Sequence, residues 1–145
     1  MSVDTPTGNA PSSPSGARLG WVIVYVQDVE RALAFYERAF GLKRRFIAPD
    51  ASFGELETGA TTLAFASEEL ADSNFAGGFR RGASDAPPFN IEICLVFHDV
   101  TGAFEHAVAS GATPLKAPTL KPWGQTVSYV RDPFGTLVEL ASPLG

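Results

Sequence analysis

The sequence predicts an α+β fold in which two βαβββ modules form a pseudo-symmetric curved sheet. Three observations predict it. A pattern of strand, Asp-Val, apolar-striped helix, Gly and further strands runs from Arg18 and returns from Pro88. Asp28-Val29 and Asp99-Val100 stand at equivalent points of the two copies. The chain closes on a hairpin, GQTVSYVRDPFGTLVELASP from Gly124 to Pro143. A unit of this length that occurs only twice builds one domain with internal symmetry rather than a solenoid.

Taken in order, Arg18–Gln27 reads as a strand with Val22, Val24 and Val26 on one face and Trp21, Ile23 and Tyr25 on the other. Asp28 caps a helix whose apolar stripe is Val29, Ala32, Leu33, Tyr36, Ala39 and Phe40, and Gly41 ends it. Leu42–Ala48, Phe53–Thr58 and Thr61–Ala66 read as short strands separated by Pro49-Asp50 and Gly59-Ala60. The span 68–87 lacks periodicity beyond a helical turn started by Ser67-Glu68-Glu69-Leu70, and its length suits a linker or a binding lid.

The second copy follows. Pro88–Phe97 is a strand with Phe89, Ile91, Ile93, Leu95 and Phe97 on one face and Asn90, Glu92, Cys94, Val96 and His98 on the other. Asp99 opens a helix striped by Val100, Ala103, Phe104, Ala107 and Val108, with Gly111 at its end. A strand over Thr113–Ala117 leads into the closing hairpin, where Asp132-Pro133-Phe134-Gly135 fits a type I turn. Residues 17–145 therefore form one domain, with modules at about 17–67 and 88–145 joined by the 68–87 loop, and residues 1–16 read as a disordered Pro/Ser/Thr/Gly-rich tail.

Composition narrows the function classes. At 145 residues, 45% hydrophobic and 19% charged, the chain matches an ordinary globular domain. A net charge of -5 argues against nucleic acid and against an anionic membrane, and Lys43-Arg44-Arg45 is placed at the solvent end of a strand. No apolar run approaches the ~20 residues of a membrane span. The N-terminus lacks the basic start and apolar core of a secretory signal. The single cysteine, Cys94, has no internal partner, which fits a cytoplasmic protein.

The face opposite each helix is mixed: Trp21, Ile23, Tyr25 and Ala64 from the first copy, Glu92, Cys94, Leu137 and Glu139 from the second. Together these residues are expected to line one partly polar cleft. A carboxylate within the otherwise apolar strand Thr136–Leu140 is costly unless it meets a cavity or a partner charge. Glu92 and Glu139 fit a carboxylate pair that holds a cation, shares a proton or supplies a general base; the alternative is separate pairing with Lys, Arg or Tyr, or exposure at the cleft mouth. Trp21 and Trp123 fit stacking surfaces for a flat or cationic ligand, and Tyr25 and Tyr129 fit hydrogen-bonding groups, with core packing the competing reading. Cys94 reads as a small filler on the cleft face. His98 and His106 read as structural or solvated, and Arg131 as a surface ion pair beside Asp132.

The paired units, VYVQDVERALAFYERAFGL in the first and PWGQTVSYVRDPFGTLVEL in the second, resemble the glyoxalase / bleomycin-resistance / extradiol-dioxygenase group, the vicinal oxygen chelate superfamily, over Leu19–Pro143. The resemblance implies four metal-ligand positions, which correspond here to Trp21, Ala64, Glu92 and Glu139. Trp and Ala supply no side-chain acceptor. Two carboxylates without an imidazole make a weak site for Zn, Ni or Fe, although Mg or Mn completed by waters fits more loosely. The expectation is thus no cofactor, or at most a divalent ion (Mg, Mn, Zn or Ni) on Glu92 and Glu139. The resemblance also implies a homodimer, side by side or with exchanged modules. In the exchanged form Trp21 of one chain approaches Glu92 of the other. The leading functional expectation is a bleomycin-resistance-like binder of a small aromatic or cationic molecule in an acidic cleft. The alternative is a glyoxalase-type lyase or isomerase with Glu92 and Glu139 as catalytic and metal-holding residues.

Overall fold

A computed structural model describes residues 16–144. The first copy comprises β1 (Trp21–Val26), α1 (Val29–Phe40), β2 (Lys43–Ile47), β3 (Phe53–Glu57) and β4 (Thr62–Ser67). After α2 (Glu68–Asn74), the second comprises β5 (Glu92–Val96), α3 (Val100–Ala109), β6 (Thr113–Leu120), β7 (Thr126–Arg131) and β8 (Leu137–Ala141). The tail expected over residues 1–16 lies, but for Gly16, outside the described residues.

Local chemistry sets the helix ends. The Asp28 carboxylate accepts from the Arg31 N–H at 3.0 Å and that of Asp99 from Gly102 at 2.9 Å, so both Asp-Val pairs are caps. Gly41 takes φ 71° and donates its N–H to the Glu37 carbonyl, closing α1. Within the span expected as a loop, the Ser67 side chain caps α2 by accepting from Leu70, so the helical turn anticipated there runs on through Asn74.

The strands form two separate four-stranded sheets, ordered β1-β4-β3-β2 and β5-β8-β7-β6. In each, the first strand lies parallel to the last and the other pairings are antiparallel. The two expected βαβββ modules are thus present, each with its own four-stranded sheet, and among the described residues β1 and β5 each keep one unpaired edge. β5 is shorter than the expected Pro88–Phe97. Its partner among the described residues, β8, begins at Leu137 opposite Glu92, so upstream residues meet no ladder there, and Pro87-Pro88 offer no N–H.

One core joins the copies. The faces of α1 and α3 that leave their own sheets pack together, and Leu33, Phe35, Tyr36, Phe65, Val130, Val138 and Leu140 form one buried cluster. Tyr36 packs its ring 5.0 Å from Phe65 and 5.1 Å from Phe40, and Phe35 meets Phe134 edge-on at 6.1 Å. Each such side chain contributes about 1.5–3 kcal/mol by leaving water. The shared core fixes the hairpin of the second copy against the helix of the first.

Candidate functional site

The candidate site lies on the face of the second sheet away from α3. In the β5–β8 register Glu92 stands opposite Leu137 and Cys94 opposite Glu139, while Tyr129 of β7 stands opposite Glu139 from the other side. Strand alternation puts Glu92, Cys94, Glu139 and Tyr129 on one face while Val138 and Leu140 go into the core. The two glutamates are diagonal neighbours on adjacent strands, so their carboxyl groups face each other across β5 and β8.

The electrostatics follow from that placement. Glu139 is raised to about 7, first by the hydrogen bond to Glu92, then by its half-buried position and the Glu92 charge; Lys121 pulls the other way. Partial withdrawal from water, then Glu139 and Glu92, push the Cys94 thiol up to about 11, so it stays protonated and a poor nucleophile at neutral pH. Tyr129 is raised by the same causes in the same order, with Cys94 adding to them. Glu139 is therefore the carboxyl of the cluster set to change charge near neutrality, while Cys94 and Tyr129 keep their protons.

Trp123 lies in the turn after β6 that also carries Lys121. Its indole N–H donates to the Gln125 carboxamide at 2.9 Å, and Gln125 is in turn held by the Ser142 carbonyl, leaving the ring 62% exposed. Beside β5, a cavity of about 330 Å³ is lined by Glu92, Cys94 and Ile93, with Val22, Thr61 and Leu63 across from them.

Within the chain Trp21 and Tyr25 lie on the first sheet, apart from this cluster. Trp21 donates its indole N–H to Glu55 at 2.8 Å; Glu55 also accepts from Arg45 at 3.1 Å, and Arg45 reaches Thr62 and Glu57. Tyr25 packs against Phe75 at 6.1 Å and Phe79 at 5.4 Å. Glu55 and Lys121 are the polar groups that reading the sequence missed. Glu55 sits in a strand of alternating charge that looks like a solvated edge, and Lys121 sits in a turn, where periodicity says nothing about direction. The basic triplet opens the edge strand β2, where Arg44 pairs with Glu30 and Glu37. Arg131 ignores Asp132 and donates to the Ala83, Ser84 and Gly135 carbonyls. His106 contacts the Arg38 carbonyl at 2.8 Å and has a structural role.

The family model for the glyoxalase/bleomycin resistance protein/dioxygenase superfamily matches residues 18–140. The chain belongs to that superfamily. No curated protein sequence matches it. Among solved structures it is similar to a glyoxalase/bleomycin resistance protein/dioxygenase family enzyme from Burkholderia phytofirmans PsJN, with 22% identity, TM-score 0.75, and 88% of this chain and 100% of that one covered. A glyoxalase-related enzyme from Fulvimarina pelagi gives 21% identity and TM-score 0.72, covering 87% and 88%. TioX from Micromonospora sp. ML1 gives 21% and 0.66, covering 88% and 100%. At these identities the likeness shows the fold alone.

Superfamily members often use a divalent metal, which needs several converging donors. Ala64 is fully buried between Ile23 and Glu55 in the register and Trp21 uses its only polar atom as a donor, which leaves Glu92 and Glu139 as the two donors of the four positions. Among the described residues no three His, Cys, Asp or Glu side chains converge to hold an ion. These residues do not fit a tightly held metal.

Proposed function

We propose that this chain binds a small aromatic or cationic molecule against the acidic face of the second sheet, without a tightly held metal. The observation that carries the reading is the placement of Glu92 and Glu139 as diagonal neighbours on one face, with Tyr129 opposite Glu139 and an exposed Trp123 in the turn after β6. A cationic group arriving there displaces the Glu139 proton and takes two carboxylates as partners, while an attached ring stacks on exposed aromatic surface. Binding of this kind needs affinity alone; a Kd near 1 μM corresponds to about -8 kcal/mol.

The test is calorimetric titration with a panel of bleomycin-like and other aromatic cationic drugs, with elemental analysis of protein purified without chelator or tag metal. The reading expects a saturable ligand, proton release on binding near pH 7, loss of binding in Glu139→Gln, and no stoichiometric metal. Absence of any ligand across the panel, or stoichiometric Ni, Zn, Mn or Fe lost on mutation of both glutamates, sinks it.

The value of about 7 at Glu139 favours a second reading, a glyoxalase-type lyase or isomerase. Ionised Glu139 would take a proton from carbon beside a carbonyl and return it to the neighbouring atom, with Glu92 sharing it meanwhile. Turnover of hemithioacetals abolished by Glu139→Gln separates this reading from binding alone.

A second copy of the chain completes the proposal. β1 and β5 keep free edges, and Trp21, Ile23 and Val96 are exposed at 55%, 43% and 61%. Such edges and apolar surface are normally covered. A homodimer with exchanged modules sets Trp21 of one copy near Glu92 of the other. Analytical ultracentrifugation should give a dimer that Trp21→Glu weakens; a monomer at all concentrations rules this out.

A further inference from the structure

Away from the glutamates, a cavity of about 220 Å³ lies between β1 and β5 at the end covered by the linker after α2. Tyr25, Phe79, Phe89, Ile91 and Leu137 line it, and Arg80 stands in its wall. It meets the cavity beside Glu92 along Val22, Ile91 and Ile93, but neither glutamate lines it. The linker over it is fastened on both sides. Arg81 grips Asp72 at 2.8 Å and Glu68 at 3.5 Å, and Arg131 donates to the Ala83 and Ser84 carbonyls at 2.9 and 3.3 Å. Gly82 and Gly135 allow the close approach: a Cβ at Gly82 would fall 2.8 Å from the Phe134 carbonyl oxygen, and one at Gly135 2.7 Å from the Ala83 nitrogen.

The charges select the ligand. In a chain of net charge -5, this wall carries an arginine and no carboxylate. Arg81 is spent on α2 and Arg131 on the linker backbone, whereas Arg80 forms no ion pair among the described residues and lies 6.0 Å from the centre of the Phe89 ring. A guanidinium over an aromatic edge of an apolar cavity is a fork for a planar carboxylate. An apolar cavity of ~150 Å³ holds benzene, so this one has room for a ring and its acid group. The geometry points to a second site in this chain, selective for a small aromatic carboxylate, with the ring among Tyr25, Phe79, Ile91 and Leu137 and the carboxylate on Arg80.

The probes are benzoate and its neutral counterpart benzyl alcohol, titrated into the full chain by calorimetry and by two-dimensional NMR. The acid should bind about tenfold more tightly than the alcohol, because a charge-assisted pair is present only for the acid. Arg80→Gln should bring the acid down to the level of the alcohol, and Arg80→Lys should restore part of the difference. Arg80 is exposed, so neither change threatens folding. Amide signals of Phe79, Arg80 and Ile91 should shift while those of Tyr129 and Glu139 stay. No saturable binding, equal affinity of acid and alcohol, indifference to Arg80→Gln, or shifts centred on Glu139 would each overturn the site. So would loss of binding as the protein concentration rises, since a second copy would then be the occupant.

Discussion

The Tyr36 hydroxyl donates a 2.6 Å hydrogen bond to the buried carboxylate of Asp132, tying the helix of the first module to the last turn of the second. Asp132 also accepts from the Phe134 and Thr136 N–H groups at 2.9 and 2.8 Å, so one side chain shapes the turn and joins the modules. Burial raises Asp132 above its ordinary 3.8, against the pull of these donors; burial and the Asp132 charge raise Tyr36 well above its usual range.

The first prediction concerns that pair. Tyr36→Phe leaves a buried carboxylate short of a donor, and should cost about 1–3 kcal/mol in urea unfolding at neutral pH. For Asp132 the sign follows from a folded value above the unfolded 3.8. Its stabilising contribution is complete below about pH 3.8 and fades as pH rises through the folded value. Asp132→Asn keeps an acceptor oxygen for the turn and removes the charge. Its Tm relative to the parent should therefore climb as pH rises from about 4. A difference independent of pH would show that burial does not act on this carboxyl.

The second prediction concerns the glutamates. Glu139 lies at about 7 against an ordinary 4.5, so its contribution to stability is full below pH 4.5 and is lost as pH rises through about 7. The first cause is the hydrogen bond to Glu92. Glu92→Gln replaces a repelling carboxylate with an amide donor, so the Glu139 midpoint, followed by carboxyl ¹³C NMR, should fall toward the ordinary range. The same variant should gain thermal stability over the parent above pH 7. A midpoint that stays near 7 would assign the shift to burial instead.

These contacts mark what was legible in the sequence. The caps at Asp28 and Asp99 and the Gly41 stop follow from local residue chemistry, and the placement of Glu92 and Glu139 on one face follows from alternation. The two modules were legible, but which strand edges stay apart within the chain was not. Alternation identifies the faces of a strand but not which edges pair, so Trp21 and Tyr25 were assigned to the cleft of Glu92 although they lie on another sheet. Tyr36 read as part of an apolar stripe, since its spacing carries no trace of where the hydroxyl goes. Asp132 read as a turn former, and the same residue type at the same place does both jobs. Arg131 lay beside Asp132 in sequence and was paired with it by default, but strand alternation points neighbours to opposite faces.

The last prediction tests the linker. Gly135 sits at φ 102°, and a Cβ there would also meet the Ala83 backbone, so Gly135→Ala strains both the hairpin turn and the linker laid over it. The cost should be about 1–3 kcal/mol, seen as a lower Tm. Arg131→Ala leaves the turn backbone free of strain but removes the donors to Ala83 and Ser84. It should lower Tm less while loosening the linker as much. Trypsin reports this directly, because Arg80 and Arg81 lie in the segment that would lift. Both variants should be cut there faster than the parent, and Arg131→Lys, with one donor group in place of the fork, should fall between. If cleavage at Arg80 and Arg81 keeps the parent's rate in both, the linker is held by the Arg81 pairs with Asp72 and Glu68, and the hairpin serves only its own sheet.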